Sequence, residues 1–257
     1  MLKEFYLKFI SHEFDSQKIK HIQYNYIKRL NKLKYVSYRR IDIMIEVNDT
    51  TEEEKIEILW DDTKTSKMIC NIDKNVANDV SSLSCIIQVY KKVFNCLTAL
   101  WKKNKWESVD LHSIFANIES EWFKVSITYG KTYLSPNKKH KAEIFCDIFP
   151  DYADYYLKIL CKGSINVSKF KFFKGLTNID FFFSFFNNYY WRDDSFFLIT
   201  DINKEIFFLF NIEMGFSGIE YKPFDNSIEK CKNFVQAFQA SVTQEQRLKL
   251  LDLPPIQ

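Results

Sequence analysis

Four segments of this sequence carry a carboxylate followed two positions later by a cation: Glu53-Glu54-Lys55, Asp62-Thr63-Lys64, Glu220-Tyr221-Lys222 and Glu245-Gln246-Arg247. On a strand that spacing puts both groups on one face, where they could hold Mg²⁺ and an attacking water. Chance pairing of 33 acids and 36 bases over 257 positions gives about 4.6 such segments, so the four found are no enrichment. Glu220 and Lys222, with Asp201 upstream at a hairpin end, fall in strand context and are the best of the set.

Metal ligation has little to work with. The four histidines are His12, His21, His112 and His140. His140 and Glu143 lie three apart on an expected strand and so point to opposite faces. His12 clusters with Glu13 and Asp15, but carboxylates after a strand ordinarily cap the next helix. The spacings that zinc and iron sites use are missing. Gly215-Phe216-Ser217-Gly218 resembles a nucleophile elbow, yet its second glycine is one position early for G-x-S-x-G. The cysteines at 70, 85, 96, 146, 161 and 231 form no C-x-x-C pair. Cys85, Cys96 and Cys146 sit in apolar settings, which make poor nucleophiles.

Glycine supply argues further against cofactor chemistry. Average usage predicts roughly 18 glycines and 13 prolines, and the chain has 5 of each. Neither G-x-G-x-x-G nor G-x-x-x-x-G-K-[ST] can be assembled from them, which disfavours a dinucleotide fold and a P-loop. The reading is no catalytic set, no metal and no cofactor.

The elements that would position any site follow from periodicity. A strand at Phe5–Ile10 leads to a helix from Asp15 or Ser16 to about Lys34, with Ile19, Ile22, Tyr26, Leu30 and Leu33 on one stripe. Tyr35–Val47 alternates, with Ile41, Ile43 and Ile45 inward. Strands at Ile56–Trp60 and Met68–Ile72 come next. The strongest helix runs from Asn78 or Asp79 to about Lys103, with Leu83, Ile87, Tyr90, Phe94 and Leu97 expected in the main core. A helix opened by Ser108 or Asp110 should face Leu111, Ile114, Phe115, Ile118 and Trp122 inward. Residues 1–122 therefore read as a βαββ(β)αα unit.

The pattern then turns β-rich. A hairpin is expected from Phe123–Tyr129 and Ala142–Ile148, followed by strands at Tyr155–Cys161 and Ile165–Phe173. Thr177 or Asn178 caps a short aromatic helix. A second hairpin spans Phe196–Asp201 and Glu205–Ile212, with a strand at Gly218–Lys222. A helix capped by Asn226 or Ser227 follows. Thr243 with Gln246 forms a capping box for a last helix, stopped by Pro254-Pro255. The fold class is α+β: antiparallel sheets with segregated helices, in halves 1–122 and 123–257, with no linker composition between them.

Two surface features remain. Between Ser16 and Ile41 there are eight Lys or Arg and no Asp or Glu. At about 100° per residue, Lys18, Lys28, Arg29 and Lys32 share one flank of the first helix. Such a face is ordinarily just solvated; its functional reading is docking of a phosphate backbone or an acidic surface. Ten of the seventeen residues 181–197 are aromatic, more than one helix face can bury, so the segment is either wrapped on both sides, the ordinary fate of most such rings, or partly exposed as an interface. Tyr189, Tyr190, Trp191, Arg192, Asp193 and Asp194 combine aromatic anchors with a polar rim, the make-up of a protein interface.

A net charge of +3 implies no nucleic-acid or membrane partner by itself. No apolar run approaches the roughly 20 residues of a spanning helix. Met1–Ile10 lacks an apolar leader core, so a cytoplasmic chain with reduced thiols is expected. Size, missing chemistry and the Lys/Asn/Ile/Phe-rich usage of a low-GC bacterial genome fit a stoichiometric protein-binding protein. The specific expectation is an immunity protein that covers the active site of a cognate toxin. The alternatives are a nuclease-like enzyme using the basic helix, and a structural or adaptor subunit of a larger assembly.

Overall fold

A strand that alternates apolar and polar residues buries one face, and β1 (Glu4–Ile10) does so with Phe5, Leu7 and Phe9. The computed structural model describes residues 2–10, 16–33, 36–49, 55–78, 83–163, 167–177 and 179–239. The chain divides into two compact units, Met1–Val125 and Ser126–Gln257. In the first, β1 is followed by α1 (Ser16–Leu30), β2 (Arg40–Asn48), β3 (Ile56–Asp61), β4 (Thr65–Asp73), α2 (Lys74–Asn78), α3 (Leu83–Lys103) and α4 (Ser108–Ser120). The sheet order is β1-β2-β4-β3. Ile41, Ile43 and Ile45 of β2 are buried, with Met68, Cys70 and Ile72 of β4 beside them.

Here the expected antiparallel pairing needs correction. β1 pairs with β2, and β2 with β4, in parallel; only β3 and β4 are antiparallel. The physical reason is the crossover: parallel neighbours need a long connection, and α1 supplies it between β1 and β2. The α+β class stands.

Along α3 the buried stripe is Ile86, Val89, Tyr90, Val93, Leu97, Leu100 and Trp101, with Cys85 and Cys96. Tyr90 and Leu97 are in the core as expected. Leu83, in the first turn, is 45% exposed, and Ile87 and Phe94 are only partly buried. Phe94 lies off the stripe and packs on α4, stacking on Phe115 at 4.5 Å. Leu111, Ile114 and Ile118 of α4 point inward, but Trp122 does not: the helix ends at Ser120 and the indole faces solvent.

The face of α1 also departs from its apolar reading. His21, Asn25 and Arg29, four residues apart, are buried beside the apolar stripe. Asn25 Nδ2 donates to Tyr90 Oη at 2.9 Å and to the Phe123 carbonyl at 2.8 Å. Arg29 donates to Asn25 Oδ1 and, at 2.8 Å, to Glu121 Oε2. Tyr90 Oη lies 3.1 Å from His21 Nδ1. Buried polar groups are retained where such partners exist.

The second unit holds β5 (Val125–Leu134), β6 (His140–Ile148), β7 (Ala153–Cys161) and β8 (Val167–Gly175) in the order β5-β6-β7-β8. Then come α5 (Ile179–Phe185), β9 (Asn188–Trp191), β10 (Phe196–Thr200), β11 (Ile206–Asn211), β12 (Gly215–Tyr221) and α6 (Ile228–Ala237). The last four strands form an antiparallel sheet ordered β12-β11-β10-β9. The aromatic run is wrapped on several sides. Phe182 lies 4.0 Å from Tyr155, Phe186 5.0 Å from Phe208, and Phe185 stacks on Phe234 at 4.0 Å. Gly215 is a packing residue: its φ is +85°, and a Cβ there would come within 2.8 Å of the Phe170 ring.

Several expected features lie outside the described residues: the His12–Glu13–Asp15 cluster, caps at Asp79 and Asn178, Glu53, Glu245–Arg247, and the Thr243 capping box with its helix. No helix among the described residues is long and apolar enough to cross a membrane.

Five cysteines are buried and Cys161 is exposed. Burial, then the Asp147 charge, pushes the Cys146 thiol up to about 12. One thiol per chain is therefore expected to react with an aromatic disulfide reagent in the native state at neutral pH, and five more only after unfolding. Fast labelling of Cys146, read by peptide mass, would contradict this.

Candidate functional site

β9 and β5 are each the edge strand of their sheet, and edge strands present unpaired backbone groups. Residues 188–191, which include the expected partner-binding residues Tyr189, Tyr190 and Trp191, form β9, paired with β10 through Trp191↔Phe197 and Tyr189↔Ile199. Alternation separates their roles. Tyr189 turns inward, donates its hydroxyl to the Phe186 carbonyl, and has its phenol pKa raised by burial. Tyr190 turns outward and is 37% exposed.

Trp191 is half-buried. Its Nε1 donates to the Tyr133 carbonyl of β5 at 3.0 Å, and its ring meets Phe197 at 5.3 Å. Tyr133 in turn lies 5.6 Å from Tyr189. Together the two edges border a shallow hollow of about 430 Å³, lined on the β5 side by Lys131, Thr132, Tyr133, Leu134 and Pro136, and on the β9 side by Tyr189, Tyr190 and Trp191. The β5 contribution was not legible in the sequence, because it comes from a strand more than fifty residues away.

The polar rim is built differently from its expected role. Asp193 caps its own turn, accepting from Ser195 N at 2.8 Å and Phe196 N at 2.9 Å. The Ser195 amide, then the Arg192 side chain, hold its carboxyl below the usual range. Arg192 bonds that carboxylate at 3.1 Å and lies 4.1 Å over the Phe196 ring. Asp194 accepts from Asn137 N at 2.8 Å. Both acids are therefore engaged by backbone N–H groups of the surface loops.

The basic flank is only partly assembled. Lys28 and Lys32 are exposed and Lys18 is half-buried. Arg29 is a correction: it is buried against Asn25 and Glu121, because a guanidinium inside a helix pair needs both partners. Lys28, Arg29 and Lys32 border a cleft of about 380 Å³ whose other wall is Asp110, Ser113, Asn117 and Glu121 of α4. That wall opposes the binding of a bare polyanion.

Among the described residues, those considered for catalysis each have a local structural partner. Asp201 is buried and accepts backbone N–H bonds from Asn203 (3.0 Å), Glu205 (2.8 Å) and Ile206 (2.7 Å), closing the β10–β11 turn. Lys222 pairs with Glu220 at 2.9 Å on the surface. Asp62 accepts from Lys64 N and Thr65 N, a turn cap. Glu143 pairs with Lys158, and Ser217 Oγ reaches only the Gly215 carbonyl at 3.4 Å. Among the described residues no three His, Cys, Asp or Glu groups converge as metal ligands would. Asp201→Ala is expected to cost about 2–3 kcal/mol, because buried amide donors lose a charged acceptor. Glu220→Ala and Ser217→Ala should stay within about 0.5 kcal/mol. Denaturant titrations of the three variants read the difference directly.

Compared with known protein families, characterised proteins and solved structures, the chain matches none.

Proposed function

We propose that this chain is a stoichiometric protein-binding protein that docks its partner on the hollow between β5 and β9. The observation that carries the reading is the grouping of Tyr133, Leu134, Tyr190 and Trp191 around one partly open apolar surface at two sheet edges. Aromatic residues with a polar rim are where interfaces concentrate binding energy, and a free edge also accepts an extended segment through backbone bonds. The biological role that fits is that of an immunity protein in the bacterial cytoplasm, holding a toxin domain inactive by occupying its active site.

The test is a binding assay with two probes, the product of the gene adjacent to this one and a single-stranded oligonucleotide, each at low and high salt. Tyr190→Ala is the cleanest variant, because Tyr190 faces out. Trp191→Ala also removes the bond to Tyr133. Each should weaken protein binding by about tenfold or more, with little change in salt response. Lys28→Glu with Lys32→Glu should leave that binding unaltered. Oligonucleotide binding that is lost with the lysines and falls steeply with salt would replace this reading with the nucleic-acid one.

A further inference from the structure

The C-terminus of α4 closes with a Schellman arrangement: Phe123 N bonds the Ile118 carbonyl at 2.8 Å, and Trp122 N bonds that of Glu119 at 2.9 Å. The residue in the left-handed position of this motif is ordinarily glycine, because a Cβ is strained there. Here it is Trp122, with φ +55°, followed by Phe123 at +57°. The strained pair is held from several directions. Asn25 bonds the Phe123 carbonyl, Arg29 bonds Glu121, and the Phe123 ring packs 4.8 Å from Tyr90. Phe123 repays its conformation by burial. Trp122 does not: it is 76% exposed. A bulky aromatic kept in a glycine position and pointed at water contributes nothing evident to folding, and strain of this kind marks functional positions.

The surroundings indicate what covers it. From 107 to 121 the chain has Glu107, Asp110, Glu119 and Glu121 and no Lys or Arg, while α1 beside it carries Lys18, Lys20, Lys28 and Arg29 and no acid. One cleft has Lys28, Arg29 and Lys32 on the α1 side and Asp110 and Glu121 on the α4 side, so basic and acidic side chains lie side by side, with Glu121 the chain neighbour of Trp122. A patch with both signs adjacent is self-complementary under a twofold rotation, the commonest symmetry of assemblies. We infer that the surface around Trp122 is a self-association interface, on which a second copy of this chain covers the indole and sets its α1 lysines against the α4 carboxylates. This surface is distinct from the β5–β9 hollow and does not depend on the reading given to that hollow.

Sedimentation velocity of the full chain from about 1 to about 500 μM tests this, at about 50 and 500 mM salt. The expected result is a dimer whose fraction rises with concentration and falls with salt. Trp122→Gly should remain monomeric while its Tm rises by about 2 °C, since the strain is relieved. Lys28→Glu/Lys32→Glu and Asp110→Lys should each weaken the dimer about tenfold or more, and an equimolar mixture of the two should recover it as a heterodimer. A wild-type monomer at every concentration, a Trp122→Gly dimer of unchanged affinity, or a lowered Tm in Trp122→Gly would overturn the inference.

Discussion

Phe186→Ala is expected to destabilise the second unit by about 3–5 kcal/mol. The ring is fully buried and lies within 6 Å of Phe182, Phe185, Phe208 and Phe238. These neighbours come from α5, β11 and the end of α6, so the space left by the ring cannot be filled by one element moving. The backbone of Phe186 also receives the Tyr189 hydroxyl, so the loss should loosen the start of β9, and with it the hollow. Hydrogen exchange should show lost protection across β10 and β11. A variant with native midpoint and native exchange would mean that the cavity collapses without cost, against the packing described.

Leu97→Ala is the counterpart in the first unit, with an expected cost of about 2–5 kcal/mol. Leu97 is fully buried in the core cluster formed by α3, the β1–β4 sheet, α1 and α4. That cluster shares no residue with the one containing Phe186. Exchange protection should therefore fall in β2 and β4 while β10 and β11 keep theirs. Equal loss in both regions would show that the two cores unfold as a single cooperative unit.

Periodicity alone made many elements legible. Ile41, Ile43 and Ile45 alternate, which only a half-buried strand explains, and they are the buried face of β2. The four-residue spacing of Ile22, Tyr26 and Leu30 marked the inner stripe of α1 equally well. Phe182, Phe183 and Phe186 recur at one-, three- and four-residue spacing, as one side of a short helix requires, and all three are buried. In each case the information is local, because a side chain's direction follows from its place in a repeat of 2 or 3.6.

Partner choice is not local, and there only the tertiary structure decided. The alternation of β1 and β2 is the same whether they pair in parallel or antiparallel fashion, and the α1 crossover settles it. Arg29 reads as one more surface cation until Asn25 and Glu121, the latter ninety-two residues on, close around it. Trp122 continues the apolar spacing of α4 in sequence, yet the helix ends before it and a left-handed turn points it outward. Tyr190 and Trp191 were visible as candidates, but the hollow exists only because Tyr133 and Leu134 reach it from another sheet. The sequence determines which face of each element seeks cover. What provides that cover is determined by contacts between distant residues, whose energies depend on shape and charge in three dimensions rather than on spacing along the chain.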